Sequence, residues 1–206
     1  MPAPDPAGPA VPASRVLDAV RRRPATLHGR CRVVVVDGPA GSGKTTLADQ
    51  IAASAGEDVV RVVHLEDLDK GWRGELTAGA QVVDLLRTLH ASGVATYRRY
   101  DWHLEAYAEQ HRVELPDLLL VEGVGSSHPD CDDLVTLRVW VEAPRDVRLQ
   151  RGLARDGEHL RDHWLQFLAD EQQVHERDRT RERADMVVDG TTGGVRVVAR
   201  DLRAPR

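Results

Sequence analysis

A run of four valines leads directly into a glycine-rich segment, residues 33–46, and this junction constrains the fold more than any other part of the chain. The segment reads VVVVDGPAGSGKTT and contains the complete pattern G-x-x-x-x-G-K-[ST], from Gly38 to Thr45. Glycines let the backbone turn so that successive N–H groups point inward, and the helix that follows adds the positive end of its dipole. The pattern predicts a buried strand, a phosphate-binding loop and a helix, in this order.

The loop is expected to bind the phosphates of a nucleoside triphosphate. Lys44 can reach the β- and γ-phosphates, and the hydroxyl of Thr45 can complete the coordination of a Mg²⁺ ion that bridges the same two phosphates. We therefore predict ATP and Mg²⁺ as cofactors and Lys44 as a catalytic residue, while the choice between ATP and GTP stays open. The predicted nucleotide-binding residues of the loop are Gly38, Ala40, Gly41, Ser42, Gly43, Lys44, Thr45 and Thr46.

Composition and length exclude several classes of protein. The chain has 206 residues, a net charge of -5 and a pI near 6.0, which argues against a general nucleic-acid binder. Its two cysteines, Cys31 and Cys131, form no C-x-x-C pair, which favours neither a disulfide framework nor a zinc site and fits a reducing cytoplasm. No apolar run approaches the roughly 18 residues of a membrane helix. We expect a cytoplasmic protein with a disordered tail over residues 1–13 and a single domain over residues 14–206.

Hydrophobic patterns alternate along the chain between those of strands and those of helices. The predicted strands are residues 31–36, 59–65, 118–121, 136–141, 186–188 and 195–198. The predicted helices are residues 14–20, 47–52, 77–90, 145–155 and 159–179, and residues 94–115 are predicted to form a β-hairpin or extended flap. This order predicts an α/β fold, with a parallel sheet flanked by helices on both faces. Ligands are then expected at the carboxyl ends of the strands.

Glu122 follows an apolar strand, at a position where a carboxylate is costly to bury unless a metal or hydrogen-bond donors receive it. Sites of this kind pair the threonine of the loop with an acid at a strand end. We therefore predict that Glu122 organises the Mg²⁺ ion with Thr45, directly or through water, and lies beside the substrate. A salt bridge, or a cap on the following loop, is the alternative.

Glu66 and Asp67 end the second predicted strand, which lies next to the phosphate loop in a sheet of this type. Either carboxylate could accept a proton from a substrate hydroxyl as that hydroxyl attacks the γ-phosphate. We predict that one of the two is a catalytic base, and the sequence does not choose between them. A solvated acidic turn is the alternative.

Arg148, Arg151 and Arg155 share one face of a predicted helix. Three guanidinium groups on one face repel one another unless anions meet them, which favours a helical lid that clamps phosphate oxygens. We predict such a lid over about residues 148–163, with Arg151 and Arg155 catalytic and Arg148 binding the nucleotide. A solvated basic face is the alternative.

Several segments together resemble the uridine kinase-like branch of the P-loop kinases, from about Arg30 to Gly190. They are the phosphate loop and residues 64–68, 100–102, 120–123, 148–157 and 183–188. The resemblance implies a P-loop kinase-type parallel sheet flanked by helices, with a β-hairpin insertion and a helical lid. It also implies ATP- and Mg²⁺-dependent phosphorylation of a nucleoside or another small metabolite.

The resemblance further implies roles for single residues. In the family an aspartate that opens a D-x-F-Y segment acts as the base, and Glu66 matches that position, with Asp69 where an aromatic residue is usual. The segment that helps to hold the nucleoside is matched by Tyr100, Asp101 and Trp102. The indole of Trp102 either stacks on a base or packs on the core.

Two other functions stay open. In a nucleoside monophosphate kinase, Arg98 and Arg99 could receive the phosphate of the acceptor. In a nucleotide-dependent switch or regulatory ATPase there is no acceptor, and the aromatic segment at residues 100–102 favours an enzyme over this class. The expected partners are a nucleotide and a small-molecule acceptor, without nucleic acid or membrane, and a homo-oligomer is left open.

Overall fold

The computed structural model of the chain describes residues 11–68, 75–101, 104 and 106–198. Eight strands are present in this part of the chain: β1 Arg32–Asp37, β2 Val60–His64, β3 Val94–Asp101, β4 Ala106–Glu114, β5 Leu118–Glu122, β6 Leu137–Glu142, β7 Met186–Asp189 and β8 Val195–Val197. The helices are α1 Val11–Arg21, α2 Lys44–Ser54, α3 Glu75–Ser92, α4 Arg145–Asp156, α5 Arg161–Asp178 and α6 Thr180–Arg183. Residues 1–10, Asp69 and Trp102 lie outside the described residues.

Six strands form the central sheet, in the order β2-β5-β1-β6-β7-β8. The first five of these are mutually parallel, as the alternation of strands and helices predicts. The last strand differs from the prediction of an all-parallel sheet, because β8 pairs antiparallel with β7. Only residues 190–194 connect these two strands, and a parallel crossover needs a much longer connection, so the pair closes as a hairpin.

Alternate side chains of the central strands enter two different cores. Val33 and Val35 of β1 pack with apolar residues of α3 on one face, and Val34 and Val36 pack with α1 and α2 on the other. A strand that is covered on both faces is apolar at every position, which explains the uninterrupted run of valines. The carboxyl ends of β1, β2 and β5 are aligned, since Glu122 pairs in register with both Val36 and His64.

Helix α1 begins at Val11, inside the segment that the sequence predicts to be a disordered tail. Ala13, Val16, Leu17 and Val20 are all buried and belong to the core shared with α2. Their spacing places them on one helical face, which accounts for the earlier start of the helix. The tail prediction is therefore wrong for residues 11–13.

The predicted hairpin is present as β3 and β4, which form a separate antiparallel sheet. Ala95 and Val113, at its base, are buried in the core on the α3 face. Tyr100 and Tyr107, nearer its tip, pack edge to face with ring centroids 5.6 Å apart. The hairpin thus extends from the α3 side of the domain.

Both cysteines are buried with free thiols. Burial raises the pKa of Cys31 and of Cys131 to about 11, so neither forms a reactive thiolate at neutral pH. None of the helices in the described residues is long and apolar enough to cross a membrane.

Candidate active site

The phosphate loop connects β1 to α2 and needs glycine at two positions for packing as well as for conformation. Gly38 and Gly41 have φ angles of 144° and 74°, which side-chain-bearing residues rarely adopt. A Cβ atom on Gly38 would lie 2.1 Å from the carbonyl oxygen of Val141, and one on Gly41 would lie 2.6 Å from that of Arg148. The loop is therefore pressed against β6 and α4, and its shape is fixed by neighbouring backbone.

Lys44 is the first residue of α2 and is 8% exposed. Its ammonium donates a hydrogen bond to the carbonyl oxygen of Pro39, across the loop, at 3.1 Å. Burial lowers the pKa of Lys44, and the carboxylates of Glu122, Glu171 and Asp37 act in the opposite direction. The positive charge thus lies over the loop, as the sequence pattern predicts.

Thr45, Glu122 and His64 meet at the carboxyl end of the sheet. The Thr45 hydroxyl donates a hydrogen bond to Oε1 of Glu122 at 3.1 Å, and Nδ1 of His64 lies 2.7 Å from the same oxygen. The hydrogen bond with Glu122 raises the pKa of His64. The predicted pair of Thr45 and Glu122 is therefore in contact, and the alternative of a salt bridge at Glu122 requires the protonated form of His64.

The oxygen atoms of Thr45 and Glu122 suit Mg²⁺, which prefers hard oxygen ligands and is bound in such sites by few protein groups together with phosphates and water. Glu122 is 3% exposed, so the protein fixes its position before any ligand binds. Neither here nor elsewhere in the described ranges is a group of three or more His, Cys, Asp or Glu side chains arranged to hold a metal, so an ion at this site would depend on phosphate and water for its other ligands.

Glu66 and Asp67 lie in a 3₁₀ turn, Leu65–Asp67, that directly follows β2. Their surroundings differ. Desolvation and the charge of Glu122 raise the pKa of Glu66, and Arg155 opposes this rise. The charge of Asp67 contributes to the raised pKa of His64 and of Glu66, and it also acts on the hairpin, where burial and then Asp67 raise the pKa of Tyr97. Glu66 is thus electrostatically coupled to Glu122.

Two of the three arginines predicted to form the lid, Arg148 and Arg151, contact the phosphate loop. Arg148 donates to Oε1 of Glu171 at 2.7 Å and to the carbonyl oxygen of Ala40 at 3.3 Å, so its guanidinium supports the loop from outside. The side chain of Arg148 is 11% exposed and is paired with Glu171, so the alternative of a solvated basic face is wrong for this residue. Its role in binding the nucleotide stays a prediction.

The other two arginines of the predicted lid, Arg151 and Arg155, are more exposed than Arg148. Arg151 donates to the carbonyl oxygens of Gly41 and Gly190, both at 3.1 Å. Arg155 pairs with Asp156 at 2.7 Å, and its guanidinium carbon is 5.8 Å from the centre of the Trp164 ring. The predicted lid therefore corresponds to the end of α4, the turn after it and the start of α5.

Asp37 is a buried residue of the candidate site that the sequence analysis missed. It ends β1, is almost fully buried, and accepts hydrogen bonds from the backbone N–H groups of Gly38, Gly125 and Ser127 at 2.6, 3.0 and 2.9 Å. Nε2 of His175 lies 3.3 Å from Oδ1 of Asp37. A carboxylate directly after four valines was a visible signal, because it must find donors when it is buried.

Glu171, on α5, is the second missed residue. Its Oε2 accepts a hydrogen bond from the backbone N–H of Ala40 at 2.6 Å, and the residue is 2% exposed. Nothing in the local sequence distinguishes Glu171 from the other acidic residues of this helix. Only the packing of α5 against the loop identifies it.

The hairpin residues predicted to hold a nucleoside are mostly engaged within the hairpin. Tyr100 is buried against Tyr107, and Asp101 accepts hydrogen bonds from Arg99 at 3.1 Å and from the N–H of Leu104 at 3.0 Å. A cavity of about 530 Å³ lies between α3 and the hairpin. Its lining includes Leu68, Asp84, Thr88, Thr96, Tyr97, Arg98 and Tyr107.

Comparisons with known proteins identify the fold. The chain superposes on a possible uridine kinase from Bacillus stearothermophilus with a TM-score of 0.63 and 21% identity, over 86% of this chain and 97% of that one. It superposes on a candidate fructose transport system kinase from a Silicibacter species with a TM-score of 0.58 and 18% identity, over 80% and 94%. No protein-family model and no curated protein matches the sequence. The chain therefore has the fold of uridine kinase-like P-loop kinases, as its sequence resemblance implies.

Proposed function

We propose that this protein is an ATP- and Mg²⁺-dependent kinase that transfers the γ-phosphoryl group to a hydroxyl of a small molecule, with a nucleoside as the first candidate. The observation that supports this most strongly is the contact between Thr45 and Glu122, next to the buried ammonium of Lys44. A loop that only binds phosphate does not need a buried carboxylate beside its threonine hydroxyl, whereas a Mg²⁺-dependent site does.

The roles follow from the positions of the side chains. The backbone N–H groups of the loop and Lys44 would bind the triphosphate, and Thr45 and Glu122 would hold the metal, which neutralises charge on the phosphates when it is bound. Glu66, whose pKa is raised by desolvation and by Glu122, would accept the proton of the acceptor hydroxyl. Arg155, whose charge acts on Glu66, would lie on the same side of the site.

A nucleoside is favoured over a nucleoside monophosphate by the ion pairs of the hairpin. Arg99 donates to Glu109 at 2.7 Å and to Asp101 at 3.1 Å, and Arg98 donates to the carbonyl oxygen of Tyr107 at 3.1 Å. Arg99 is already neutralised by two carboxylates, which weakens its attraction for a phosphate on the acceptor. An acceptor without phosphate does not depend on this attraction.

The test is a panel of acceptors with the full chain, ATP and Mg²⁺, in which ADP release is followed for nucleosides, nucleoside monophosphates, other small alcohols and no acceptor. We expect release that depends on a nucleoside or another neutral alcohol. Faster release with monophosphates would support the nucleoside monophosphate kinase instead. If ADP is released at the same rate with every acceptor and without any acceptor, the result would support a regulatory ATPase and contradict the proposal.

A further inference from the structure

Two side chains on one face of α5 lie against residues 37–40, where β1 passes into the phosphate loop. Glu171 accepts the N–H of Ala40, and His175, one helical turn later, lies 3.3 Å from Asp37. Residues four apart share a face of a helix, so α5 contacts the loop along a single line.

Both backbone groups of Ala40 are held by charged side chains. Its N–H donates to Oε2 of Glu171 at 2.6 Å, and its carbonyl oxygen accepts from Nη1 of Arg148 at 3.3 Å. Arg148 and Glu171 also pair with each other at 2.7 Å. The three groups form a closed ring of charge-assisted hydrogen bonds, which are stronger than neutral ones.

The position of Glu171 is electrostatically unfavourable for a phosphate site unless its charge is matched. Its carboxylate is close enough to act on Lys44, the residue expected to bind the β- and γ-phosphates. An unpaired anion at this point would repel a nucleotide, and a buried unpaired carboxylate is costly in itself. Arg148 neutralises it, so the pair can hold the loop without adding net negative charge.

The same region is packed tightly by apolar side chains. Ala40 contacts a small core of Leu153, Trp164 and Leu168, which joins α4 to α5. A Cβ atom on Gly152 would lie 2.3 Å from the Trp164 ring, so the two helices cannot move closer together. The α4–α5 pair is thus a rigid support on which Glu171 and Arg148 are mounted.

We propose that Glu171, together with Arg148, is a positioning residue that holds Ala40 so that the phosphate loop has its binding shape before the nucleotide arrives. The proposal rests on the proposed function only in taking a nucleotide phosphate as the ligand of the loop. If the loop already has its binding shape, less conformational entropy is lost when the nucleotide binds.

The experiment compares Glu171→Ala and Glu171→Gln with Glu176→Gln, a matched control on an exposed turn of the same helix. Amide hydrogen exchange at Ala40 is measured by NMR, and the Kd of ADP is measured by calorimetry. We expect Glu171→Ala to speed amide exchange at Ala40. We also expect it to raise the Kd of ADP by about tenfold or more, which is the size of effect seen when residues that support a metal ligand are removed. Glu171→Gln keeps an acceptor oxygen and should fall between Glu171→Ala and the wild type. The control should match the wild type.

The results separate positioning from simple stability. Exchange that increases equally at Ala40 and at amides of β1 and α2 would indicate general loosening and overturn the proposal, as would an unchanged Kd in both Glu171 variants. If Glu171→Ala does not fold, Glu171→Gln gives the same two readouts. A wild type that binds ADP but phosphorylates no acceptor would overturn the proposed function and leave the positioning result intact, because ADP binding needs no acceptor.

Discussion

Gly190 lies so close to Ser42 that a Cβ atom on Gly190 would be 1.8 Å from the carbonyl oxygen of Ser42. The turn after β7 therefore presses on the middle of the phosphate loop. Arg151 joins the same two segments by donating to Gly41 and Gly190. The shape of the loop thus depends on a glycine near the end of the chain.

Gly190→Ala should damage the loop without touching any group proposed to react. Because the clash is with backbone, the loop must shift, and we expect a loss of about 1–3 kcal/mol in the free energy of unfolding with a weaker affinity for ADP. Gly194→Ala, in the same turn, is the control, since its nearest neighbour is a side-chain oxygen at 3.3 Å. Equal ADP affinity in the two variants would contradict this view of Gly190.

Thr45→Ala and Glu122→Gln should each raise the Mg²⁺ concentration needed for half-maximal turnover, by about tenfold, because each removes an oxygen ligand or its support. Glu142→Gln is the matched control, since Glu142 also ends a parallel strand but pairs with Arg181. The measurement is a Mg²⁺ titration of initial rate at saturating ATP. An unchanged midpoint in Glu122→Gln would leave that residue with the structural role of holding His64.

Glu66→Gln should lower turnover by about 10²–10⁴-fold with little change in the Kd of ADP, because general-base help acts in the transition state. Asp67→Asn should have a smaller effect, since desolvation and the charge of Glu122 raise the pKa of Glu66, which favours Glu66 as the base. Turnover of both variants under saturating substrates is the measurement. Should Glu66→Gln turn over normally and Asp67→Asn fail, the base is Asp67.

Asp37→Asn should lower stability in a pH-dependent way. Burial by itself would raise the pKa of Asp37, but contact with His175 and the N–H groups of Ser127 and Gly38 outweigh it, so the pKa lies below its ordinary value of 3.8. The ionised form therefore contributes stability that is fully present above pH 3.8 and is lost as the pH falls through the lowered pKa.

We expect Asp37→Asn to cost about 1.5–3 kcal/mol at neutral pH, as for hydrogen bonds to a charged group. The difference from the wild type, measured by urea unfolding, should shrink below about pH 4. A difference of constant size down to strongly acidic pH would mean that the charge of Asp37 does not contribute.

The sequence predicts those features that depend on local pattern. Val33 to Val36 form the central strand, and the hairpin over residues 94–115 is confirmed as β3 and β4, because an aromatic and polar segment without a helical stripe is a local signal. Thr45 and Glu122 also meet as predicted, since the ends of parallel strands lie at one edge of a sheet.

The features that the sequence does not predict depend on contacts between distant elements. Glu171 looks like any other acidic residue of α5, and its role comes only from the packing of that helix on Ala40. Arg148 shares a helical face with Arg151, but its pairing with Glu171 follows only from the packing of α4 against α5. The antiparallel direction of β8 is an exception, because the short connection between the two predicted strands is visible in the sequence and already excludes a parallel crossover.

The most direct test of the proposed function is the stoichiometry of the reaction, measured by mass spectrometry of the acceptor and by ADP formation in the same sample. We predict one phosphorylated acceptor for each ADP with the wild type, and neither product with Lys44→Ala, which removes the charge expected at the β- and γ-phosphates while the fold is kept. ADP formed with free phosphate and an unmodified acceptor, or equal turnover by Lys44→Ala, would contradict phosphoryl transfer at this loop.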